Sequence, residues 1–192
     1  MIADVKDLMH DYLRKVREAM VWKLDGLGEY DIRRPLTPTG TNLLGLIKHL
    51  SLVEAWYFGQ TFDRPFPEEL PWWNDDAEPN ADAWVTADES RADIVDLYRR
   101  VWAHADATIE VLPLDAPGVV PWWRKPDTTL HGILVHVIAE TNRHAGHADI
   151  LREQLDGAVG MSAGNSNLPE QDAEWWAAYR AQVEEAARAA AV

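Results

Sequence analysis

The chain has 192 residues, no cysteine and a formal net charge of −14. This length predicts a single domain over residues 1–192 with a substantial buried core. The acidic charge argues against nucleic acid and anionic membranes as partners, because both are bound through basic patches. The lack of cysteine removes disulfides, thiolate ligands and a cysteine nucleophile, and it fits a reducing cytoplasm. The N-terminal stretch is amphipathic and carries acids early, so we expect no signal peptide, and no apolar run is long enough to span a membrane.

Helical periodicity recurs along the chain between loops rich in Pro, Gly and Asp. Thr41 is a plausible N-cap, Thr86 and Glu89 have the spacing of a capping box, and Gly157 is a natural residue to end a helix. Strand-like alternation of useful length is absent. The pattern therefore predicts an all-α four-helix bundle with an additional short C-terminal helix. In chain order, the predicted helices span residues 3–27, 41–60, 86–112, 127 or 128 to 156, and 169–190.

The connection of residues 61–85 is too long for a simple turn. Its stretch "ELPWWNDD" carries apolar bulk, which favours a packed lid or wall over disorder. The same Pro-Trp-Trp tripeptide recurs just before the fourth helix, in a chain with ten tryptophans. Two interpretations stay open for the pairs Trp72–Trp73 and Trp122–Trp123: they plug the ends of the bundle, or they form an aromatic rim around a pocket.

The fourth predicted helix carries two ionisable side chains on an otherwise apolar stripe. Glu140 and His144 are four residues apart, so their side chains are neighbours on one helix face. A buried carboxylate costs several kcal/mol unless it is paired or bound to a cation. This pair therefore needs a partner. Steps of four and three residues define the stripe, which consists of Ile133, Val137, Glu140, His144, Ala148 and Leu151.

The second predicted helix places His49 on an apolar face with Leu46 and Val53. If this face meets the fourth helix, His49 converges with Glu140 and His144. Two histidines and one glutamate are the ligand set of a catalytic zinc site with one open position. Nickel or iron can occupy the same set. The alternative is a buried, hydrogen-bonded cluster without metal.

The remaining histidines have more ordinary interpretations. His147 lies near the same stripe, where a structural hydrogen bond is favoured over a role beside the ligands or against substrate. His136 is not expected to be a fourth ligand, because a fourth ligand would close the open position. Surface or helix-capping roles are expected for the other three, His10, His104 and His131.

Other polar and aromatic residues receive structural interpretations. Glu54 lies five residues beyond His49, which turns it away from the metal, and we expect it to pair with Arg143 or Arg152. The run from Asp149 to Glu153 predicts an ion-pair network at the helix ends. On the C-terminal helix we expect packing against the bundle, or alternatively a dimer contact, from Trp175, Trp176 and Tyr179.

Two stretches, "LIKHLSLVEAWYFG" and "TTLHGILVHVIAETNRHAGHADILREQLDG", closely resemble the DinB-like superfamily, and more narrowly an actinobacterial branch known as a domain of unknown function. The resemblance implies a four-helix bundle with a divalent metal held by one ligand from the second helix and two from the fourth. Many members use three histidines, whereas Glu140 makes this chain similar to the His/Glu/His variant of the zinc-binding mycothiol-dependent maleylpyruvate isomerases. Carried over by position, the ligands are His49, Glu140 and His144.

The resemblance also implies an activity. Members of the superfamily are S-transferases that use a low-molecular-weight thiol, so we expect a zinc-dependent transferase with mycothiol and a small electrophile as partners. A thiol at the open zinc position is deprotonated and can attack an electrophile. The isomerases carry a further C-terminal domain with a catalytic arginine, and residues 158–192 are too short to form it. Isomerase activity is therefore not expected.

Two other functions stay open beside thiol transfer. A metal-dependent hydrolase would use the same site with activated water, assisted by His147 or His136. A non-enzymatic metal-binding protein would use the cluster only for stability. Bundles of this type often pair as homodimers, and several thiols, electrophiles and metals are compatible with the predicted site.

Overall fold

The computed structural model describes residues 4–73 and 76–191. Two short strands of the described residues pair antiparallel, and there is one 3-10 turn. The fold is otherwise helical, which confirms the prediction of an all-α bundle with an additional C-terminal helix. The elements are α1 (Val5–Trp22), α2 (Glu29–Arg33), α3 (Leu43–Phe58), the 3-10 turn (Gln60–Phe62), α4 (Arg91–Val111), β1 (Pro117–Val119), β2 (Asp127–Thr129), α5 (Leu130–Asp156) and α6 (Ala173–Ala189).

The bundle consists of the four long helices α1, α3, α4 and α5. Helix α3 packs against both α4 and α5, and α1 packs against α5. Apolar side chains fill the interior in two main clusters, because each helix carries its apolar residues on one face. One cluster includes Leu44, Ile47, Leu50, Ile94 and Leu151. The other includes Leu13, Phe58, Ile109, Ile133 and Val137.

Helix α1 is shorter than its periodicity predicts. It ends at Trp22, and a turn follows in which Gly26 has a φ of 77°. Leu24 stays buried although it lies beyond the helix, which explains why the apolar pattern continues. The short helix α2 was not predicted. The predicted start of the first helix at Ala3 lies outside the described residues.

Helices α3 and α5 begin and end close to their predicted bounds. The N-cap of α3 is Asn42 rather than Thr41, because the Asn42 side chain accepts a hydrogen bond from the Gly45 amide at 2.8 Å. Helix α5 begins after Thr129, whose hydroxyl caps it. Gly157 ends α5 with a φ of 78°, as predicted for a residue that must adopt the left-handed conformation.

The third predicted helix corresponds to α4, and it begins later than predicted. Ser90, not Thr86, is the N-cap of α4, and its side chain accepts from the Asp93 amide. Glu89 does reach back to the Thr86 amide at 2.8 Å, so the capping pair forms in the turn before the helix.

Residues 127–129 were predicted to begin the fourth helix and instead form β2. Short strands of this kind give too little alternation to be recognised.

A buried polar network joins α1, α3 and α4. Arg17 donates two hydrogen bonds from Nε to the Glu54 carboxylate, at 3.1 and 2.9 Å, and its Nη1 lies 2.6 Å from an Asp106 oxygen. Tyr98 donates to Glu54 at 3.2 Å. His10 lies 2.7 Å from Asp106 and is buried, so its predicted surface or capping role is wrong. Burial raises the pKa of Glu54, and Arg17 opposes that rise.

The expected partner of Glu54 is also wrong. Glu54 lies inside the bundle against Arg17, and neither Arg143 nor Arg152 reaches it. Arg152 instead donates to the Lys23 carbonyl at 2.9 Å. The predicted ion-pair network at the helix ends is confirmed by two pairs, Lys23–Asp149 and Arg152–Asp156.

Helix α6 does not pack as predicted. No residue of this helix is buried, and the side chains of Trp175 and Tyr179 are 39% and 48% exposed. These two rings stack on each other with centroids 5.3 Å apart, and Trp176 lies edge-on to both. The aromatic side chains therefore cover one another instead of the bundle. None of the helices in the described chain is long and apolar enough to cross a membrane.

Candidate metal centre

Helices α3 and α5 bring three potential metal ligands together. His49, Glu140 and His144 each offer one ligand atom, and these atoms all lie within 4.8 Å of one another. The rings of His49 and His144 meet edge to face, with centroids 4.9 Å apart. All three residues are partly buried. The two predicted helix faces therefore do meet, and they meet at the predicted residues.

The stripe on α5 accounts for this placement. Its apolar members Ile133, Val137, Ala148 and Leu151 are buried in the bundle. Glu140 and His144 lie between them on the same face and lie 3.0 Å apart, from Oε1 to Nε2. The apolar residues fix the orientation of α5, and the helix then has no freedom to turn the ionisable pair outward.

Asp82 is a functional candidate that the sequence did not single out. Its Oδ2 lies 2.6 Å from His49 Nδ1, so the imidazole donates through Nδ1 and keeps Nε2 free as an acceptor. The hydrogen bond from His49 holds the pKa of Asp82 below its usual range, although burial opposes this. Histidine ligands of metals are commonly oriented by a carboxylate in this manner. One signal for Asp82 was present in the sequence: it lies in the long connection of residues 61–85, which was expected to pack against the bundle.

The connection between the 3-10 turn and α4 is held tightly where it carries Asp82. A Cβ atom on Gly45 would lie 2.0 Å from the carbonyl oxygen of Ala83, so only glycine permits this close approach to α3. Asn42 also donates to the same carbonyl at 3.3 Å. One turn further along α3, Lys48 is buried and donates to the Trp84 carbonyl at 3.0 Å. These contacts place Asp82 directly against His49.

The cluster has the chemistry that a divalent metal requires. Burial lowers the pKa of His144, the neighbouring His49 lowers it further, and Glu140 opposes both effects. A lowered pKa favours the neutral imidazole, which is the form that binds metals. His144 Nδ1 is buried without a hydrogen-bond partner among the described residues. The two imidazoles and the carboxylate therefore fit a divalent metal site.

A cleft of about 490 Å³ opens beside the cluster. His49, His144 and His147 line it together with Asp82 and Trp84. This volume is within the range of small-molecule sites. His147 is exposed, and its ring centroid is 5.5 Å from that of His144. The structure gives its side chain no hydrogen bond to a described residue, so the structural role favoured from the sequence is not found.

The other histidines lie away from the cluster. His136 packs edge-on against Tyr57 and Trp123, with centroids 4.6 and 4.9 Å apart, and burial lowers its pKa. It contacts these aromatic rings, and the group of potential ligands consists of His49, Glu140 and His144. His131 is exposed near the start of α5. His104 instead is partly buried, and its Nε2 donates to the Arg64 carbonyl at 2.7 Å.

The two tryptophan pairs lie on one side of the bundle and meet at Trp56. The Trp56 ring contacts Trp73 and Trp122, with centroids 5.6 and 4.3 Å apart. Both of these rings are half exposed, whereas Trp72 and Trp123 pack more deeply. The arrangement corresponds to the aromatic rim, with one member of each pair also anchoring its loop to the bundle.

The bundle and its His/Glu/His cluster define a DinB-like protein with a candidate metal site. The model of the family described as "MST: Mycothiol-S-transferase" matches residues 8–157. This span contains α3, α4, α5 and most of α1, and the chain therefore belongs to the mycothiol-S-transferase family. A search of the curated proteins found no match.

A solved structure supports the same fold. The chain is similar to the crystal structure of a conserved protein from Enterococcus faecalis, with a TM-score of 0.58 and 17% identity. The likeness covers 81% of this chain and 99% of that protein. At this identity it shows the DinB-like fold alone. Helix α6 lies beyond the residues that the family model matches.

Proposed function

We propose that this protein is a metal-dependent S-transferase that joins mycothiol to a small electrophile. The observation that carries the proposal is the convergence of His49, Glu140 and His144 beside a cleft, in a chain of this family that has no cysteine. Because the protein supplies no thiol of its own, the sulfur nucleophile has to come from the cosubstrate. We place the reaction in the cytoplasm, where small thiols stay reduced.

In this proposal the three residues hold one divalent metal, with zinc as the first candidate and nickel or iron compatible with the same ligands. A bound metal with an open position would lower the pKa of a coordinating thiol to well below neutrality. Asp82 keeps the Nε2 atom of His49 available by accepting the hydrogen bond from Nδ1. We assign to His147, which lines the cleft, the role of accepting the thiol proton and passing it to solvent.

The cleft beside the ligands suits a hydroxyl-rich thiol. Mycothiol carries a glucosamine and inositol polyol beyond its cysteine sulfur, and polyols are bound by side chains that donate and accept hydrogen bonds. The cleft is lined by hydroxyl, amide and carboxylate groups, including those of Thr41, Asn80 and Asp82. Trp84 adds a half-exposed indole on which a sugar ring can pack. We assign the polyol to this cleft.

The first test is metal content per chain, measured by mass spectrometry on untagged protein. We expect close to one equivalent of zinc in the wild type and less than about a tenth of that in His144→Ala, since two ligands retain metal poorly. His131→Ala is the matched control, because it removes an exposed histidine from the same helix. A wild-type protein that holds no metal after reconstitution would overturn the proposal.

The second test separates thiol transfer from hydrolysis at the same site. Reconstituted protein is given an electrophile with mycothiol, with glutathione or without thiol, and both the conjugate and the hydrolysed electrophile are measured. Transfer predicts conjugate only with thiol, and more with mycothiol. Loss of electrophile without thiol would instead favour the hydrolase, in which His147 takes a proton from water. If neither the conjugate nor the hydrolysed electrophile forms, the protein binds metal without either activity.

A further inference from the structure

We infer that a second cleft, lined by Trp56, Trp72 and Trp73, binds the electrophile, and that it selects neutral, planar molecules. We call it the aromatic cleft, and it measures about 480 Å³. The inference rests on the proposed thiol transfer and names the substrate class for that site. It also assigns a role to the tryptophans that the metal site does not use.

The aromatic cleft adjoins the cleft of about 490 Å³ beside His49 and His144, which we call the metal cleft. Both are lined by Asn80 and Asp82, and Asp82 is the residue that binds His49. On α3, His49 and Trp56 are seven residues apart, so they share a face and lie roughly 10 Å apart along the helix. A molecule the size of a substituted benzene can lie on Trp56 with its reactive carbon directed to the metal cleft.

The walls of the cleft favour a flat apolar ring. Trp56 lies edge-on to Trp73 at 5.6 Å, and Leu52 contributes an aliphatic surface. Trp72 is anchored from behind by the ammonium group of Lys48, which lies 4.3 Å from its ring centroid. Indole faces held in fixed positions bind planar rings by stacking and edge contacts. The floor of the cleft is therefore rigid where the ring would lie.

Charge at the cleft selects against anions. Glu78 and Asp82 are acidic members of its wall, and no lysine or arginine is among the described residues that line it. Lys48 lies behind Trp72 and is paired with Glu89 at 2.8 Å. A carboxylate-bearing electrophile would meet two like charges without a compensating cation. Neutral electrophiles avoid this repulsion.

The probe for this class is 1-chloro-2,4-dinitrobenzene, which is neutral and planar and carries two nitro groups. In the reaction the mycothiol thiolate attacks the ring carbon that bears chlorine. A carbon–sulfur bond forms, the carbon–chlorine bond breaks, and chloride leaves with the electron pair. The thiol proton goes to solvent. No oxidant or reductant is required.

The kinetic test compares this probe with iodoacetamide, which has no ring. In Trp56→Leu we expect KM for the dinitrobenzene to rise roughly tenfold, equivalent to about 1.4 kcal/mol, with a much smaller effect on the reaction of iodoacetamide and no loss of metal. Trp175→Leu, on exposed α6, is the control and should change neither rate. Equal KM values in wild type and Trp56→Leu would overturn the inference.

The charge test uses 4-chloro-3,5-dinitrobenzoate, an anionic analogue of the probe. For each electrophile, the rate enhancement is the catalysed rate divided by the uncatalysed rate. We expect it to be at least roughly tenfold smaller for the anion than for the neutral probe. Glu78 is exposed, so Glu78→Lys should fold normally and raise kcat/KM for the anion several-fold more than that for the neutral probe. An unchanged preference in this variant would contradict the assigned selectivity.

A binding test separates this inference from the proposed function. Calorimetric titration with 1,3-dinitrobenzene, which has no leaving group, measures the cleft in the absence of any reaction. Binding to wild type that is lost in Trp56→Leu, together with no turnover, would support the cleft and reject thiol transfer. Turnover of iodoacetamide without dinitrobenzene binding would reject the cleft and leave thiol transfer intact.

Discussion

At the scale of single residues, the hydrogen bond between Asp82 and His49 decides which nitrogen faces the metal cluster. A neutral imidazole carries one proton, and an acceptor 2.6 Å from Nδ1 fixes that proton there. Without the acceptor, the ring is free to place its proton on Nε2 and to rotate. Either change removes the lone pair that a metal would bind. Asp82 is therefore a positioning residue for His49.

We predict that Asp82→Asn lowers zinc affinity by roughly 10- to 100-fold, because the amide is a weaker acceptor and no longer carries the charge that raises ligand basicity. Competition with a chromophoric chelator measures the change. Asp88→Asn is the matched control, since it removes an exposed carboxylate from the same connection. Equal affinities for wild type and Asp82→Asn would show that His49 is positioned without it.

The difference between Asp82 and the three ligand candidates shows what the sequence could reveal about the site. Glu140 and His144 interrupt an apolar stripe on α5, and His49 interrupts one on α3, so helical spacing alone exposes them. Asp82 interrupts no pattern, because it lies in a connection without periodicity. Its role depends on the close approach of Ala83 to Gly45, which is a tertiary contact.

At the scale of helices, the bundle contains a charged interior that couples α1, α3 and α4. Arg17 and Glu54 are both nearly fully buried, and Asp106 joins them from α4. The Arg17 guanidinium binds two carboxylates at once, which fixes the relative positions of the three helices. Glu54 lies on the same helix as His49, one and a half turns along. The network thus helps to hold α3 in place for the metal cluster.

We predict that Arg17→Met lowers the free energy of unfolding by about 3–5 kcal/mol, because it leaves the Glu54 carboxylate buried without its partner. Adding Glu54→Leu should recover at least half of the loss, since the buried charge is then gone. Arg14→Met is the control one turn earlier on α1, where the arginine is half exposed, and it should cost less than about 1 kcal/mol. Urea unfolding measures all three; a double variant as unstable as Arg17→Met would contradict the explanation.

Apolar periodicity in the sequence predicts the long helices and misses the shortest elements. The long helices α3, α4 and α5 carry enough turns for apolar spacing to stand out, and their ends lie within a few residues of the expected ones. Helix α2 has five residues and each strand has three, which is too short for any period. The pairing of Glu54 was missed for another reason: helical spacing identifies a face but not which helix lies opposite.

At the scale of the whole molecule, α6 stands apart from the bundle. The family match ends at residue 157, one residue after α5, and α6 has no buried residue. The segment before it does contact the bundle, because the ammonium group of Lys23, the residue after α1, donates to the Gly160 carbonyl at 2.5 Å. The apolar face of α6, with Trp175, Tyr179 and Val183, is exposed in the single chain. The aromatic periodicity of α6 was real, but periodicity does not identify what covers a face.

We therefore predict that removing residues 169–192 changes neither the metal content nor the stability of the bundle. The melting temperature should shift by less than about 2 °C, which for a chain of this size corresponds to less than about 1 kcal/mol. Truncation after Gly157 is the informative comparison: it also removes the Gly160 carbonyl that binds Lys23, and it should lower the melting temperature by several degrees because a buried ammonium loses an acceptor. Circular dichroism measures the melting temperature of both truncated proteins, and mass spectrometry measures their metal content. If the shorter deletion alone destabilises the protein by several degrees, α6 packs on the bundle in solution.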